Sequence, residues 1–411
     1  MRWSPQQDQA LSAVRDWLHN SDEQVFHLFG YAGTGKTTLA KHLAEGVNGK
    51  VLFAAFTGKA AYVLQSKGCA GATTIHSLIY HSRDKGKSQL VEMEKQLQTL
   101  LDELTAEGMS PEAIEKHARV KDLKKMIEQE RDSVKQPFFV LNMESEVRQA
   151  KLVIIDECSM VDARMGADLL SFGVKVLVLG DPAQLPPVGG AGYFTENVTP
   201  DVMLEEIHRQ AEESPIIRMA TQVRKEQPLA LGDFGNDCRV LAGERIAPEL
   251  ALSFDQILVG KNKTRFATNK RVRTLKGIDD PYPVIGDRLV CLRNDHDAGL
   301  LNGALFNVNS VGGVMDHKVI LDIVPEGSPF AQSVMAHEHY FLGKGDDLPW
   351  FERKDAQEFD YGYALTVHKA QGSQWDSVLL FDESGVFRKD RWRWLYTGIT
   401  RAAEKLTVVK M

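Results

Sequence analysis

A glycine-rich segment near the amino terminus constrains the fold of this chain more than any other feature. Residues 30–37 read Gly-Tyr-Ala-Gly-Thr-Gly-Lys-Thr, which matches the pattern G-x-x-x-x-G-K-[ST]. The apolar run Val25–Phe29 before it predicts a buried strand, and the stretch Thr37–Glu45 after it predicts a helix that Gly46 ends. The glycines therefore fall on a strand-to-helix turn, where backbone N–H groups and a helix N-terminus bind phosphate oxygens.

The residues of this loop have the chemistry that a nucleoside triphosphate requires. Gly30, Gly33 and Gly35 let the backbone close around phosphate oxygens, because no Cβ blocks the approach. Lys36 is expected to bind the β- and γ-phosphates, and the Thr37 hydroxyl is expected to ligate Mg²⁺. A glycine-rich turn without a ligand is the alternative, and the flanking strand and helix argue against it.

The segment before the loop predicts a capped amphipathic helix. Ser4 is suited to the N-cap and Pro5 to the first helical position. The apolar face of this helix is formed by Ala10, Leu11, Val14 and Leu18. Gln7 offers a donor and an acceptor side by side, which suits the edge of adenine. From this stretch alone, Gln7 is either a base-reading residue or one more residue of a plain helix.

Two further apolar runs are followed by polar groups that suit ATP hydrolysis. Leu152–Ile155 ends in Asp156 and Glu157, and an acidic pair at this place can hold the Mg²⁺ shell and polarise the attacking water. Val174–Leu179 leads to Gln184, whose amide can sense a γ-phosphate. Apolar strands often end in an acid, but one that follows a phosphate loop is stronger evidence.

Two loops carry side chains that hold phosphodiester oxygens without reading a base sequence. The loop after the predicted strand Val51–Ala55 contains Thr57 and Lys59, and a later loop contains Thr74 and His76. Each alone is more often a simple turn. Because ligands of parallel sheets collect at the carboxyl ends of strands, their place beyond the phosphate loop favours a binding role.

A long charged segment then interrupts the strand pattern. Leu90–Leu104 has helical spacing, Gly108 breaks it, and Ser110 with Pro111 predicts the start of a second helix. Such a crossover is far longer than a loop requires, so we expect a small helical subdomain. The segment Phe138–Asn142 after it predicts a strand. The two phenylalanines of this strand, Phe138 and Phe139, are either core residues or a wedge against bases.

Composition and charge limit the environment of the chain. The formal net charge of −7 argues against binding nucleic acid over the whole surface, but it allows a basic groove. The four cysteines form no C-x-x-C pair, so neither a zinc site nor a disulfide framework is supported. Because no stretch reaches the roughly 18 apolar residues that span a bilayer, we expect no membrane partner. A reducing, cytoplasmic environment fits the scattered cysteines.

Further segments extend the pattern to the carboxyl end, and in this order they resemble the motifs of superfamily 1 helicases. The segments are Gly30–Thr37, Leu152–Glu157, Gly180–Gln184, Glu206–Gln210, Phe266–Lys270, Ala364–Gly372 and Leu395–Ala402. Within the superfamily, Thr74–Ser77, Gly286–Val290 and Thr366–Gly372 look most like the RecD/Dda branch of superfamily 1B. The resemblance covers residues 4–402 of the chain.

The resemblance implies an α/β fold of two RecA-like P-loop domains with parallel sheets and ATP in the cleft between them. The implied domains are 1–80 with 148–200, a helical insertion at 81–147, 201–283 with 360–411, and an SH3-like β insertion at 284–359. The helical insertion stands where the family usually has a short β-hairpin.

The same resemblance assigns further site residues. Arg209 and Arg401 match the arginine fingers that the second domain supplies, and Thr38 and Gly372 are added to the nucleotide contacts. The implied contacts with a DNA strand are Phe56, Thr57, Lys59, Thr74, His76, Asn269, Thr366, His368 and Lys369. The chain departs from the family at Phe56, where a proline is usual, so an extra ring is available to stack on a base.

The implied function is an ATP-dependent DNA helicase that moves 5′ to 3′ on single-stranded DNA, opens duplex junctions and works with ATP and Mg²⁺, with replication, repair or recombination proteins as candidate partners. A small-molecule kinase would share the phosphate loop, but it has no need of Gln184, Arg209 and Arg401 in this order. A single-strand translocase or an ATP-gated DNA-binding regulator would carry the same motifs without unwinding. RNA as the track also stays open.

Overall fold

The computed structural model describes most of the chain from residue 3 to residue 411. Outside the description are residues 1–2, 83–95, 98, 107, 110–112, 115–116, 135–138, 188–190, 207–212, 244–246, 294, 296–297, 299, 301, 327–330, 346–347 and 349–355. The chain divides into two compact units, one formed by Met1–Ile75 with Val147–Met411 and the other by His76–Glu146. Among the helices that are described, none is long and apolar enough to cross a membrane.

The strands of the described residues run, in chain order, as β1 Val25–Gly30, β2 Val51–Ala55, β3 Thr73–Thr74, β4 Tyr80–Ser82, β5 Phe139–Leu141, β6 Leu152–Asp156, β7 Val176–Gly180, β8 Val202–Leu204, β9 Gly232–Gly235, β10 Cys238–Ala242, β11 Gln256–Val259, β12 Arg288–Cys291, β13 Leu305–Met315, β14 Lys318–Pro325, β15 Gln332–His337, β16 Phe359–Tyr361, β17 Ala364–Thr366, β18 Trp375–Asp382 and β19 Ala402–Lys410. The α-helices are α1 Pro5–Asn20, α2 Lys36–Glu45, α3 Gly58–Ser66, α4 Ile75–Ile79, α5 Ala118–Val134, α6 Ala163–Leu170, α7 Pro215–Arg224, α8 Asn262–Leu275, α9 Glu338–Phe341 and α10 Arg391–Ile399.

The first sheet has the strand order β3-β2-β6-β7-β1-β8, and its pairs are all parallel. Strands β6 and β7 are buried along their whole length, as their continuous apolar sequences predict. The predicted domain boundary at residue 200 is too early for this sheet, because Val202–Leu204 pairs with β1 as its outer strand. The carboxyl ends of β1, β6 and β7 therefore meet at one edge.

Helix α1 begins as its sequence predicts. The Ser4 hydroxyl accepts the Gln7 backbone N–H at 3.3 Å, and Gln7 Oε1 accepts the Ser4 N–H at 3.1 Å, which makes a capping box. Pro5 occupies the first turn. Ala10, Leu11, Val14 and Trp17 are buried and join the core of the first sheet.

The second sheet has the order β17-β11-β18-β19-β10-β9. Its strands pair in parallel, except that β9 forms an antiparallel hairpin with β10. Helices α7 and α10 contribute Met219, Val223, Trp394 and Tyr396 to the core that packs on this sheet. The predicted α/β fold with two largely parallel sheets is confirmed.

A third sheet is antiparallel, with the order β15-β14-β13-β12-β16. Two buried ion pairs join it to α8, Arg265 to Asp360 at 2.5 Å and Arg273 to Asp287 at 2.9 Å. It lies where a β insertion was expected at 284–359, and an SH3-like topology for it stays a prediction.

The unit His76–Glu146 contains a small ribbon in which β4 pairs antiparallel with β5. Leu100, Leu104, Ile114 and Val120 form a buried cluster of its own. The predicted helical character is confirmed over Ala118–Val134. The predicted helix start at Ser110 and Pro111, the stretch Leu90–Met93 and the wedge candidate Phe138 lie outside the described residues.

Candidate nucleotide and nucleic-acid cleft

The phosphate loop joins β1 to α2, and its glycines stand where the backbone requires them. Gly33 and Gly35 have φ angles of 82° and 79°, in the left-handed region that favours glycine. A Cβ on Gly30 would lie 2.6 Å from Thr34 Oγ1 and 2.8 Å from Leu204 Cβ. The shape of the loop thus depends on all three glycines.

Lys36 and Thr37 already have protein partners in this structure. Lys36 Nζ donates hydrogen bonds to the backbone oxygens of Gly30 at 2.6 Å and Tyr31 at 3.1 Å. Thr37 Oγ1 donates to Asp156 Oδ2 at 2.9 Å. Thr38 is exposed on the first turn of α2. The ammonium and the hydroxyl therefore lie at the mouth of the loop, where their predicted roles require them.

The acidic pair ends β6 beside the loop. Burial raises the pKa of Asp156, and the neighbouring Glu157 charge adds to the rise, whereas Lys36 and the Thr37 hydrogen bond oppose it. Glu157 adopts φ 54° and ψ 44°, a left-handed conformation that residues other than glycine seldom take. Backbone strain of this kind concentrates at functional sites, which fits a carboxylate placed for chemistry rather than for packing.

The oxygen atoms at this place fit a magnesium ion. Mg²⁺ prefers oxygen ligands and is usually held by one or two carboxylates together with substrate phosphates. Thr37 and Asp156 supply a hydroxyl and a carboxylate in direct contact. A cation here would also offset the raised pKa of Asp156. Within the described residues, no group of three or more His, Cys, Asp or Glu side chains is arranged to hold a metal alone.

Gln7 has partners at both ends of its amide in this structure. Its Nε2 donates to the Thr34 backbone oxygen at 3.0 Å, and its Oε1 belongs to the capping box with Ser4. The protein engages both ends of the amide in this structure, so Gln7 ties α1 to the phosphate loop. The contact with an adenine edge stays a prediction.

The loop after β7 brings Gln184 into the cleft. Gln184 is 6% exposed, and its Oε1 atom has no hydrogen-bond partner among the described residues. A buried acceptor left unpaired costs about 1–3 kcal/mol, which is tolerated where a ligand completes the site. The position fits the predicted γ-phosphate contact, which remains a prediction.

The two predicted arginine fingers have different outcomes. Arg209 lies outside the described residues. Arg401 is buried, and its guanidinium donates to the Thr397 backbone oxygen, the Ser373 backbone oxygen and Thr400 Oγ1 at 3.1, 3.2 and 3.2 Å. In this structure Arg401 therefore binds residues in or next to α10 and the second parallel sheet, and its role as an arginine finger stays a prediction.

Gly372 lies close to the start of α3. Its φ is +74°, and a Cβ there would lie 2.8 Å from Ala60 Cβ and 2.9 Å from Thr57 Oγ1. The segment after β17 therefore closely approaches the start of α3, and the nucleotide contact of Gly372 stays a prediction. Thr57 itself caps α3 by accepting the Ala60 N–H at 3.2 Å.

Lys59 lies in the same contact. Its Nζ is 4.3 Å from the centre of the Trp375 ring, which belongs to β18 of the second sheet. Burial lowers the pKa of Lys59 to about 8, with Arg288 adding to the fall and Glu326 opposing it. The predicted phosphate-binding lysine is thus half-buried between the two sheets.

Asn269 and Thr366 are held inside the second half of the chain. Asn269 is 2% exposed, donates through Nδ2 to the Tyr361 and Ala364 oxygens and accepts the Ala364 N–H at 2.7 Å. All of these bonds fasten α8 to β16 and β17, and the DNA contact of Asn269 stays a prediction. Thr366 is also buried, and its hydroxyl accepts the Lys369 N–H at 3.4 Å.

The remaining predicted strand contacts lie in different surroundings. His368 and Lys369 are half-buried after β17, and burial lowers the pKa of both. Phe56 is half-buried after β2, whereas Thr74 is buried on β3. His76 belongs to the other compact unit, where its ring lies 5.3 Å from that of Tyr80.

The structure adds residues that sequence reasoning missed. Tyr396 Oη donates to Asp181 Oδ2 at 2.6 Å and accepts the Ala32 N–H at 3.1 Å. The Arg224 guanidinium lies 3.3 Å from the centre of the Tyr31 ring. The sequence shows Tyr396 only as one tyrosine in a helical segment, which is too common a feature to single it out.

The comparisons with known proteins agree with this arrangement. Residues 2–245 match the family model of the AAA domain, and residues 361–409 match that of the UvrD-like helicase C-terminal domain. The chain is 28% identical over 283 residues to the ATP-dependent RecD2 DNA helicase of Deinococcus radiodurans. That match covers 62% of this chain but 35% of the relative, so the chain spans about a third of its length.

Solved structures of similar fold are Pif1 helicases. The chain resembles Bacteroides Pif1 bound to ssDNA with a TM-score of 0.53 and 18% identity, over 99% of this chain and 92% of that one. It resembles Pif1 in a structure of two coordinating helicases at forked dsDNA with a TM-score of 0.55, 18% identity and the same coverage. The chain belongs to the AAA-domain family, and its carboxyl-terminal residues match the UvrD-like helicase C-terminal domain.

Proposed function

We propose that the chain is an ATP-dependent DNA helicase that moves 5′ to 3′ along single-stranded DNA and opens duplex junctions. One observation carries the proposal: the phosphate loop pairs with the acidic strand through Thr37 and Asp156 and also contacts Tyr396 of the second half. A nucleotide bound in the loop would therefore act on both sheets at once. That linkage is what a motor needs, whereas a small-molecule kinase needs only the first sheet.

Each polar residue of the cleft has its own proposed role in ATP hydrolysis. Lys36 exchanges its bonds to the backbone oxygens of Gly30 and Tyr31 for bonds to phosphate oxygens. Glu157 polarises the attacking water, and the amide of Gln184 meets that water and the γ-phosphate. Thr37 and Asp156 would hold Mg²⁺, which would supply positive charge to offset that of the phosphates. Closure of the cleft brings Arg209 and Arg401 toward the developing negative charge.

Movement along a strand follows from closure of the cleft. The start of α3, with Thr57 and Lys59, approaches the second half at Gly372 and Trp375. Side chains on the two sides of this contact, including His368 and Lys369, are the proposed grips on the DNA backbone. Each cycle of closure and opening would shift one grip relative to the other, which advances the protein along the strand.

The proposed substrates follow from the names of the relatives. The curated relative is named as a DNA helicase, and the two Pif1 structures are described with ssDNA and forked dsDNA. Single-stranded DNA and duplex junctions are therefore the proposed track and substrate. Candidate partners are replication, repair or recombination proteins, in the cytoplasm of a bacterium or of a phage-infected bacterium.

The proposal is tested by ATP hydrolysis with no nucleic acid, with single-stranded DNA and with an RNA of the same sequence. We expect DNA to raise the rate at least tenfold and RNA to raise it far less. Lys36→Ala should remove hydrolysis while single-stranded DNA still binds. Hydrolysis that DNA does not stimulate, or that persists in Lys36→Ala, would overturn the proposed motor.

A translocase or ATP-gated regulator that does not unwind is the second candidate. The geometry of the phosphate loop serves it equally, because the same cleft closure would move or release a strand. Strand separation is the property that distinguishes the two, since it must overcome about 1.4 kcal/mol per base-pair step. DNA-stimulated hydrolysis without opening of any duplex would favour the second candidate.

A further inference from the structure

A buried tyrosine of the second half touches two parts of the nucleotide cleft at once. Tyr396 is 2% exposed and lies on α10, yet its hydroxyl donates to Asp181 Oδ2 at 2.6 Å and accepts the Ala32 N–H at 3.1 Å. Ala32 belongs to the phosphate loop, and Asp181 begins the loop that carries Gln184. One hydroxyl thus joins three segments that are far apart in the chain.

The neighbouring residues bind the other end of the Gln184 loop. Thr397 Oγ1 accepts the Leu185 N–H at 3.0 Å, and Gln371 Nε2 donates to the Leu185 oxygen at 3.0 Å. Tyr396 and Thr397 therefore hold the two ends of Asp181–Leu185 from a single turn of α10. Gln184, whose Oε1 has no partner among the described residues, lies between these two anchors.

The same turn also fixes Arg401. Arg401 Nε donates to the backbone oxygen of Thr397 at 3.1 Å. A displacement of Tyr396 and Thr397 would therefore carry Arg401 with it, because only one turn of helix separates them. The phosphate loop, the Gln184 loop and Arg401 are all fastened to the carboxyl-terminal turn of α10.

The phosphate loop receives a second contact one residue earlier. The Arg224 guanidinium lies 3.3 Å from the centre of the Tyr31 ring, so α7 and α10 both reach the Tyr31–Ala32 turn. Burial, together with the Asp181 carboxylate, raises the pKa of Tyr396 well above its ordinary value, so the phenol remains a donor. The hydroxyl bridge is therefore intact across the neutral pH range.

We propose that Tyr396 is the positioning residue that couples occupancy of the phosphate loop to the placement of Gln184 and Arg401. The inference rests on the proposed function, because it assumes that ATP is hydrolysed in this cleft. Loop amides bind phosphate oxygens, and in this structure the Ala32 N–H binds Tyr396 instead. Phosphate binding and the position of α10 are then linked, and by thermodynamic linkage each affects the other.

The test compares Tyr396→Phe with a matched control, Tyr361→Phe. The control also removes a hydroxyl from a buried tyrosine, but its partner is the Pro281 oxygen at 2.8 Å, away from the phosphate loop. We expect Tyr396→Phe to lower the DNA-stimulated kcat at least tenfold while KM for ATP changes less than threefold. The control should keep both values, with a similar Tm. A kcat within twofold of the unmodified protein would overturn the inference.

A second readout does not depend on hydrolysis. Hydrogen exchange is followed with a non-hydrolysable ATP analogue and Mg²⁺, in the full chain. In the unmodified protein the analogue should protect both residues 30–37 and residues 391–401, and in Tyr396→Phe it should protect only 30–37. If Tyr396→Phe does not fold, Thr397→Val, which removes the acceptor for the Leu185 N–H, should lower kcat with the same small change in KM.

The two readouts separate this inference from the proposed function. Coupled protection that Tyr396→Phe abolishes, in a protein whose hydrolysis DNA does not stimulate, would refute the motor and uphold the coupling. DNA-stimulated hydrolysis with protection of 391–401 that persists in Tyr396→Phe would uphold the motor and refute the coupling. Absence of protection at 391–401 in the unmodified protein would also refute the coupling.

Discussion

Charged residues of the cleft are hydrogen-bonded to protein groups in this structure. Lys36 binds the oxygens of its own loop, and Arg401 binds the backbone of its own turn. ATP must replace these partners with phosphate oxygens. Because each residue exchanges one set of hydrogen bonds for another, its net effect on ATP affinity is small. We therefore expect substitutions of these residues to change the hydrolysis rate more than the affinity.

Arg401→Ala tests the arginine closest to the proposed coupling. We expect the DNA-stimulated rate to fall by about 10³ or more, the range for arginine fingers, while ATP affinity changes little. The substitution also leaves the Thr397 and Ser373 oxygens without their donor, so Tm should fall. Arg401→Lys is the matched variant, since it keeps the charge but loses the planar fork. Equal rates for Arg401→Ala and the unmodified protein would remove Arg401 from catalysis.

We expect Lys59 to make DNA binding depend on pH, if it contacts a DNA phosphate as proposed. Its pKa is lowered from 10.5 to about 8 in the folded protein, so protonation of Lys59 destabilises the fold, fully below pH 8 and not at all above pH 10.5. A DNA phosphate beside Lys59 would raise the pKa again, so binding takes up a proton.

Affinity for single-stranded DNA should therefore weaken as pH rises from about 7 to 9, because free Lys59 loses its proton near its depressed pKa. Lys59→Arg should remove most of this dependence, since arginine stays charged. Fluorescence anisotropy at a fixed salt concentration measures both proteins. Identical pH profiles would contradict a contact between Lys59 and DNA phosphate.

The secondary structure elements could be predicted from sequence more fully than the partners of their side chains. Leu152–Asp156 and Val176–Gly180 were predictable because strands buried on both faces need continuous apolar sequences. The hydrogen bonds of Asn269 were not predictable, because its amide donates to residues 92 and 95 positions away in the chain, and no local sequence pattern indicates such contacts. Gln7 combines both cases, since its capping box is local and its bond to Thr34 is not.

The helical insertion is an element whose function can be separated from the motor. Its residues belong to a unit with its own buried cluster, and in this unit β4 pairs antiparallel with β5. Replacing residues 86–134 with a short turn should leave the two parallel sheets and the DNA-stimulated ATPase intact. We hypothesise that the insertion contributes to the wedge that separates the two DNA strands, because the motor itself does not require its length, so the unwinding rate should fall severalfold. Unchanged ATPase and unchanged unwinding together would end that hypothesis.

Among the described residues, several groups of contacts join the two parallel sheets around one cleft. Arg224 and Tyr396 reach the phosphate loop, Thr397 and Gln371 hold the Gln184 loop, and Gly372 with Trp375 meets the start of α3. Nucleotide contacts and proposed DNA contacts therefore share the same pair of surfaces. A change at one group is expected to alter the others, which is how hydrolysis would become movement.

The central claim is that hydrolysis in this cleft drives movement along DNA with a direction. It is tested most directly by opening of one duplex that carries either a 5′ or a 3′ single-stranded tail, with ATP hydrolysis followed in the same reactions. We predict that only the 5′-tailed duplex opens, and that Lys36→Ala opens neither. Opening of the 3′-tailed duplex alone would contradict the direction, and hydrolysis without opening of either would contradict the helicase.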